Sequence, residues 1–344
     1  MILRTIFSRK KRAAVLLLFL LGAACMAGCQ QKKEPVTKHG FYFDTVIQIT
    51  LYDDSKEALI DDCFAMAEAF QKRISKTEKG SDIYEINHAN GASVFVSEDT
   101  LALLEISKKY ESLSGGSFDI TIGALADLWD ITNNPGDLPS QEAITEALST
   151  TGIENIKISG NQVTLNNPDT RLDLGGVAKG YMADQMKEYL NAQGIQEGFI
   201  NLGGNVLLLG PKSSKEPYAI GIQKPFSPEG TPMFTVKPMD GSVVSSGVYQ
   251  RYFEKDGRIY HHILDPSTGY PYENGLLSVT ILCPSSADGD ALSTTCFSLG
   301  LEQGMALVEE LEDTEAVFIT DTYELVFSSG MGEDIPYEVL PASP

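Results

Sequence analysis

The chain has 344 residues, 26 of them basic and 47 acidic, for a formal net charge of −21 at pH 7. A surface this acidic repels a phosphate backbone, which excludes nucleic acid as a partner. The length is ample for a sizeable core in one large domain or two intimately packed ones.

The first residues read as a targeting segment and not as fold. Arg4, Arg9, Lys10, Lys11 and Arg12 make a basic start, and VLLLFLLGAA follows as an apolar run too short for a membrane span. Met26-Ala27-Gly28 then leads into Cys29, with small residues at the two positions before the cysteine. That is the pattern of a bacterial lipoprotein signal over residues 1–28, with Cys29 lipidated as the first mature residue; a plain secretory signal is the alternative. Its five basic residues leave with it and it holds no acid, so 21 basic residues face 47 acidic ones at a net −26. Residues 29–39 read as a polar tether reaching roughly 15–20 Å, and residues 40–344 as one domain. The expectation is a protein lipid-anchored to the cell membrane on its extracytoplasmic side, without crossing it.

Beyond Gly40, FYFDTVIQITLYD alternates as a strand, with Thr45, Ile47, Ile49 and Leu51 on one face. The mixed opposite face, Val46, Gln48, Thr50 and Tyr52, suits a sheet covered mainly on one side. A helix is expected from Glu57 to about Ser75, striped by Leu59, Cys63, Ala67 and Phe70. Ser97 is a candidate N-cap for a second helix whose apolar side carries Leu103, Ile106, Tyr110 and Leu113. ITEALSTTG reads as a short helix closed by glycine, and IKISGNQVTL as a hairpin turning at Gly160-Asn161. A helix from Gly180 to about Asn191 and a strand, GFINLGGNVLLLG, come next. The chain is strand-like from Tyr218 to Tyr260 and again over LLSVTILC. Two helices, Ala287–Leu299 and Leu301–Leu311, precede a closing hairpin, AVFITDTYELVFSS. Hairpins mixed with helix pairs predict an α+β fold with mostly antiparallel sheets. Cys63, Cys283 and Cys296, the cysteines left after Cys29, form no framework of bridges and read as buried thiols.

Three stretches could carry chemistry. In DALSTTCFSLG, Asp290 and Thr294 are four apart on one helix face, offering two hard oxygens to a cation such as Mg²⁺. The bland alternative has Asp290 facing the helix dipole and Thr294 bonding back to a carbonyl. In RLDLGGVAKGYMADQM, the turn at Gly175-Gly176 exposes backbone to a ligand or a phosphate. It is no Walker loop, because Tyr181 and Met182 stand where Lys and Ser/Thr are required. His261 and His262 fall close to Asp265, and a histidine near a carboxylate can act as general base for a hydroxyl. A structural pair is the alternative there.

Together these stretches resemble the ApbE-type FAD:protein FMN transferases. The resemblance runs from about Phe43 to Phe327 through FDT (43–45), GSFDITIGAL (116–125), LDLGGVAKGYMAD (172–184), INLGGN (200–205), SSGVYQRY (245–252), HILDPSTGYP (262–271) and DALSTTCFSLG (290–300). At the first block Phe43-Asp44 stands where many members carry Met-Gly. The resemblance implies a Mg²⁺-dependent enzyme that cleaves FAD, passes FMN to a Ser or Thr hydroxyl of an acceptor flavoprotein and releases AMP. It assigns the metal to Asp290, Thr294 and the Gly176 carbonyl, and the base to His262. FAD contacts are assigned to Phe43, Ser117, Phe118, Asp119, Asp173, Lys179 and the segment around Leu264. Asp184 has no role in that scheme and reads as a solvated acid on a helix face. Hydrolysis of FAD to free FMN and AMP, or flavin binding without catalysis by the lipoprotein, stay open as alternatives.

Overall fold

The computed structural model describes residues 34–134 and 136–341. The signal 1–28 and residues 29–33 of the expected tether, Cys29 among them, lie outside the described residues.

The domain opens as a hairpin, β1 (Val36–Tyr42) paired with β2 (Thr45–Leu51). Two expectations change here. The strand starts inside the segment assigned to the tether, and FYFDTVIQITLYD is broken at Phe43-Asp44, each at φ 55°. Positive φ at both central residues is type I′ geometry, whose twist suits the flanking strands. Helix α1 (Ala58–Ile74) buries Ile60, Cys63, Ala67, Phe70 and Ile74, at the spacing of one helix face. A short helix, α2 (Asp82–His88), and strand β3 (Val94–Phe95) lead to α3 (Glu98–Ser114). Ser97 caps α3 as expected, accepting from the Thr100 N–H, and Gly115 closes it in the left-handed conformation. The buried side of α3 is Leu103, Leu104, Ser107 and Tyr110, whereas Leu113 is exposed, contrary to expectation.

Two further helices follow, α4 (Gly123–Trp129) and α5 (Gln141–Leu148). The hairpin of β4 (Ile156–Ser159) and β5 (Gln162–Leu165) joins β3 in a three-stranded sheet. Helix α6 (Ala178–Ala192) precedes β6 (Gly198–Leu202) and β7 (Asn205–Leu208). GFINLGGNVLLLG is thus a hairpin and not one strand. Gly203 and Gly204, at φ 61° and 97°, turn it where a Cβ on Gly203 would strike Thr45. Strands β8 (Ile220–Gln223), β9 (Pro232–Val236) and β10 (Ser242–Gly247) come next. A separate hairpin, β11 (Tyr252–Lys255) with β12 (Arg258–His261), leads to β13 (Leu276–Cys283). Helix α7 (Ser286–Glu309) is broken at Gly300, φ 79° and ψ 179°, the boundary expected between two helices. Strands β14 (Glu315–Thr320), β15 (Leu325–Phe327) and β16 (Tyr337–Val339) close the chain.

The central sheet runs β1-β2-β6-β7-β10-β13-β14-β15, antiparallel throughout, so the predicted α+β class holds. Ile47, Ile49, Ile200, Leu207, Val279 and Ile281 share one core with buried side chains of α1, α3, α6 and α7. A second small sheet, β16-β9-β8, covers part of the opposite face through Ile222, Phe234, Val236, Val243, Leu282 and Val317. Coverage on mainly one side therefore holds at the β1–β2 end, where Val46 is exposed, and fails toward β13. Cys63, Cys283 and Cys296 are free and buried, as expected.

Candidate functional site

The site is assembled where α6 and α7 start side by side. Each helix leaves its first amides without intrahelical partners, and each finds an acceptor on the other. Asp184, one turn along α6 from Gly180, takes the first amides of α7. Its Oδ1 accepts from the Ser286 N–H at 2.9 Å, and its Oδ2 from the Ala287 N–H at 2.9 Å and the Ser285 hydroxyl at 3.0 Å. Asp290 on α7 returns the bond: its Oδ2 accepts from the Gly180 N–H at 3.0 Å. The expected role of Asp184 as a solvated acid is therefore corrected. It is a clamp between helices, and burial pushes its carboxyl upward against the pull of those donors. Gly180 permits the approach, since a Cβ there would stand 2.6 Å from the Ser286 carbonyl carbon and 2.8 Å from the Ala287 Cα.

This reciprocal capping uses only one oxygen of Asp290, whose residue is 4% exposed. The other, Oδ1, has the Lys179 ammonium at 3.4 Å, a long contact for an ion pair. A buried carboxylate so thinly compensated has room for a further cation. Thr294 lies one turn on. Its Oγ1 is 3.2 Å from Ser246 Oγ and 3.5 Å from the Asp290 carbonyl, so the back-bond is stretched. The turn before α6 comes up against it: a Cβ on Gly176 would lie 3.0 Å from the Phe118 ring and 3.9 Å from Thr294 Oγ1. One carboxylate oxygen and one hydroxyl thus lie a turn apart on α7, with the Gly176 turn against the hydroxyl. Among the described residues no group of three or more His, Cys, Asp or Glu forms a metal site. A cation held here would complete its shell with water and substrate oxygens, as Mg²⁺ commonly does.

Asp173 and Lys179 edge the same turn. Asp173 Oδ1 accepts from the Gly175 N–H at 2.8 Å and Oδ2 from Lys76 Nζ at 2.8 Å. Burial would raise its carboxyl, but the Lys76 charge and hydrogen bond prevail and hold it below the usual carboxylate range. Lys76, which also meets Asp127 at 2.8 Å, follows α1 and no local pattern marked it. Lys179 Nζ donates to the Gly175 carbonyl at 3.2 Å as well as facing Asp290.

The two histidines part company. His261 is buried, with Nε2 2.9 Å from the Tyr272 carbonyl and Nδ1 accepting from the Ile263 N–H at 3.3 Å. Those bonds fix a neutral structural imidazole. Among the described residues the His262 ring has a single hydrogen bond, Nδ1 to the Arg251 carbonyl at 3.3 Å. With Nδ1–H donating there, Nε2 is left as a bare acceptor. Burial and then the neighbouring charges of Arg251 and His261 hold its pKa well below the ordinary histidine value. The expected partnership with Asp265 does not form, because that carboxylate caps its own turn through Ser267 and Thr268.

The remaining candidates divide. Phe118 lies against Gly176, and the Ser117 carbonyl accepts from the Tyr272 hydroxyl at 3.0 Å. Asp119 bonds the amide and hydroxyl of Thr121 at 2.7 Å each, and burial raises its carboxyl. Leu264 is buried with Trp129 and Ile144. Phe43 sits at the β1–β2 turn with its ring 6.0 Å from Phe70, which stacks at 5.7 Å on Tyr181 of α6. The structure thus brings Gly176, Lys179, Asp290, Thr294 and Phe118 together directly. Asp173 is tied to the turn beside them, Asp119 and Leu264 are engaged in local packing, and Phe43 reaches α6 only through Phe70.

Known proteins resemble this chain in sequence and in fold. The model of the ApbE family matches residues 43–318. The FAD:protein FMN transferase of Klebsiella pneumoniae (strain 342) is 36% identical over 82% of this chain and 88% of its own length. That of Treponema pallidum (strain Nichols) is 31% identical over 93% of this chain and 94% of its length. Among solved structures, the ApbE protein of Thermotoga maritima superimposes with a TM-score of 0.78 at 30% identity, over 86% of this chain and 97% of its own. The flavin transferase ApbE of Vibrio cholerae gives 0.76 at 29% identity, over the same shares. With the family model spanning most of the domain and relatives above 30% identity covering most of the chain, this chain belongs to the ApbE family.

Proposed function

We propose that this protein is a Mg²⁺-dependent FAD:protein FMN transferase, which cleaves the pyrophosphate of FAD, transfers FMN to a Ser or Thr hydroxyl of an acceptor flavoprotein and releases AMP. The observation that carries the reading is the joint of α6 and α7, where the thinly compensated Oδ1 of Asp290 lies one helical turn from Thr294 and the Gly176 turn packs against Thr294 Oγ1. These three residues would hold the ion, and Mg²⁺ bound there supplies counter-charge to the pyrophosphate. Lys179 adds a second positive charge beside the same oxygens. His262, kept neutral by burial and by Arg251, takes the proton of the acceptor hydroxyl on Nε2. The hydroxyl oxygen bonds to the phosphorus of the FMN half, the bond from that phosphorus to the bridging oxygen breaks, and AMP leaves with the electron pair. We further propose that Cys29 anchors the protein by lipid to the outer side of the cell membrane, where its acceptor is found.

The test is incubation with FAD, Mg²⁺ and an acceptor domain, followed by intact-protein mass spectrometry. The reading requires a gain of one FMN on the acceptor and stoichiometric AMP. AMP with free FMN and an unmodified acceptor would make the enzyme a pyrophosphatase; FAD binding with no AMP would remove catalysis altogether. Cys29→Ser should move the protein from the membrane fraction to the soluble one, and an unchanged distribution would sink the anchor.

A further inference from the structure

We propose that Arg251 binds the phosphoryl group on the flavin half of FAD, the group that is transferred. This rests on the transferase reading above, but its test does not need the transfer. Four arginines occur among the described residues. Arg73 pairs with Asp99, Arg258 with Glu273, and Arg171 donates to the carbonyls of Pro168 and Thr170. The Arg251 guanidinium makes no hydrogen bond or ion pair among them, although the chain carries 47 acidic residues, and it is exposed. An unpaired guanidinium on so acidic a protein is available to an anion from outside.

Its place is fixed by the backbone. The Arg251 carbonyl is 3.3 Å from both the amide nitrogen and Nδ1 of His262, next to the Tyr252–His261 pair of β11 and β12. The residue that orients the base is therefore the one carrying the free cation. Its charge also lowers the Asp173 carboxyl beside the turn before α6, so the guanidinium lies within electrostatic reach of both His262 and that carboxylate. The other cations there are engaged: Lys76 by Asp127 and Asp173, and Lys179 by Asp290 and the Gly175 carbonyl. A guanidinium fork matches two phosphate oxygens, which a lysine cannot do. The choice between FAD's two phosphates follows from the base. The hydroxyl that His262 deprotonates must attack the flavin-side phosphorus, so the cation alongside His262 meets that phosphoryl group and not the AMP one.

The assignment is tested by titrating FMN and riboflavin into wild type, Arg251→Gln and Arg251→Lys, following flavin fluorescence, and by titrating AMP calorimetrically. Wild type should prefer FMN to riboflavin. Arg251→Gln should lose about 10- to 100-fold in affinity for FMN, the range for a charge-assisted pair, and leave riboflavin and AMP unchanged. Arg251→Lys, which keeps charge and loses the fork, should fall in between. Unchanged FMN affinity in Arg251→Gln overturns the proposal, and so does an equal fall for FMN, riboflavin and AMP, which would signal structural damage. If wild type fails to flavinylate an acceptor the transferase reading goes, while the FMN-to-riboflavin ratio still judges Arg251.

Discussion

Gly180→Ala adds one methyl group at the contact that builds the site. The new Cβ would stand 2.6 Å from the Ser286 carbonyl carbon and 2.8 Å from the Ala287 Cα, with the Ser286 carbonyl oxygen nearer still. All are backbone atoms at the start of α7, tied down by Asp184, so no side chain can rotate aside. Restoring ordinary contact, about 3.5–4.0 Å between carbons, requires the two helices to part by roughly 1 Å. Alanine is the better helix former by about 1 kcal/mol, and forcing a methyl into a closed contact costs about 1–3 kcal/mol or more. The net expectation is a loss of up to about 2 kcal/mol, read from urea unfolding. The catalytic effect should be larger than the stability effect. Parting the helices stretches the 3.0 Å bond from the Gly180 N–H to Asp290 and carries Lys179 and Gly176 away from Asp290 and Thr294. Misplacement of that size costs on the order of 10²-fold in rate. The assay is FMN incorporation into an acceptor domain at fixed FAD and Mg²⁺, with unfolding followed on the same samples. A Gly180→Ala protein with wild-type stability and wild-type rate would refute the claim that this contact sets the site.

Asp184→Ala strands the Ser286 and Ala287 amides and should cost about 1–3 kcal/mol of stability; an unchanged denaturation midpoint would contradict the clamp. The folded pKa of His262 lies well below 6.5, so its neutral form persists as pH falls through the ordinary histidine range. The acid limb of kcat/KM, which reports the free enzyme, should therefore lie below pH 6.5, and a limb centred at or above that value counts against His262 as the base. The sign for stability is the same: the unfolded chain takes up this proton first, so stability contributed by the neutral ring is present above pH 6.5 and lost as pH falls below it. Asp290→Asn keeps an oxygen for the Gly180 amide and removes the charge. With FAD present, Mg²⁺ should raise the unfolding temperature of wild type by mass action and leave that of the variant unmoved; an equal rise in both would remove Asp290 from the metal.

The amino-acid sequence by itself determined whatever depends on local spacing. The stripe of α1, the Ser97 cap, the β4–β5 turn, the break of α7 at Gly300 and the i, i+4 placing of Asp290 and Thr294 are each readable within one or two turns of chain. Motif order pointed to the family, and burial of the three thiols followed from their apolar neighbours. Tertiary structure decided what depends on partners far along the chain. Asp184 and Gly180 carry a local signal, a small residue and an acid on one helix face, but only the packing of α7 shows that face to be covered. Lys76 reaches Asp173 from 97 residues away, and the Arg251 carbonyl, not Asp265, orients His262. The turns at Phe43-Asp44 and Gly203-Gly204 lie next to each other because β2 pairs with β6. Hydrogen bonding and close contact act over about 3 Å of space whatever the separation in sequence, so the residues that orient the chemistry were fixed only when α6 and α7 met.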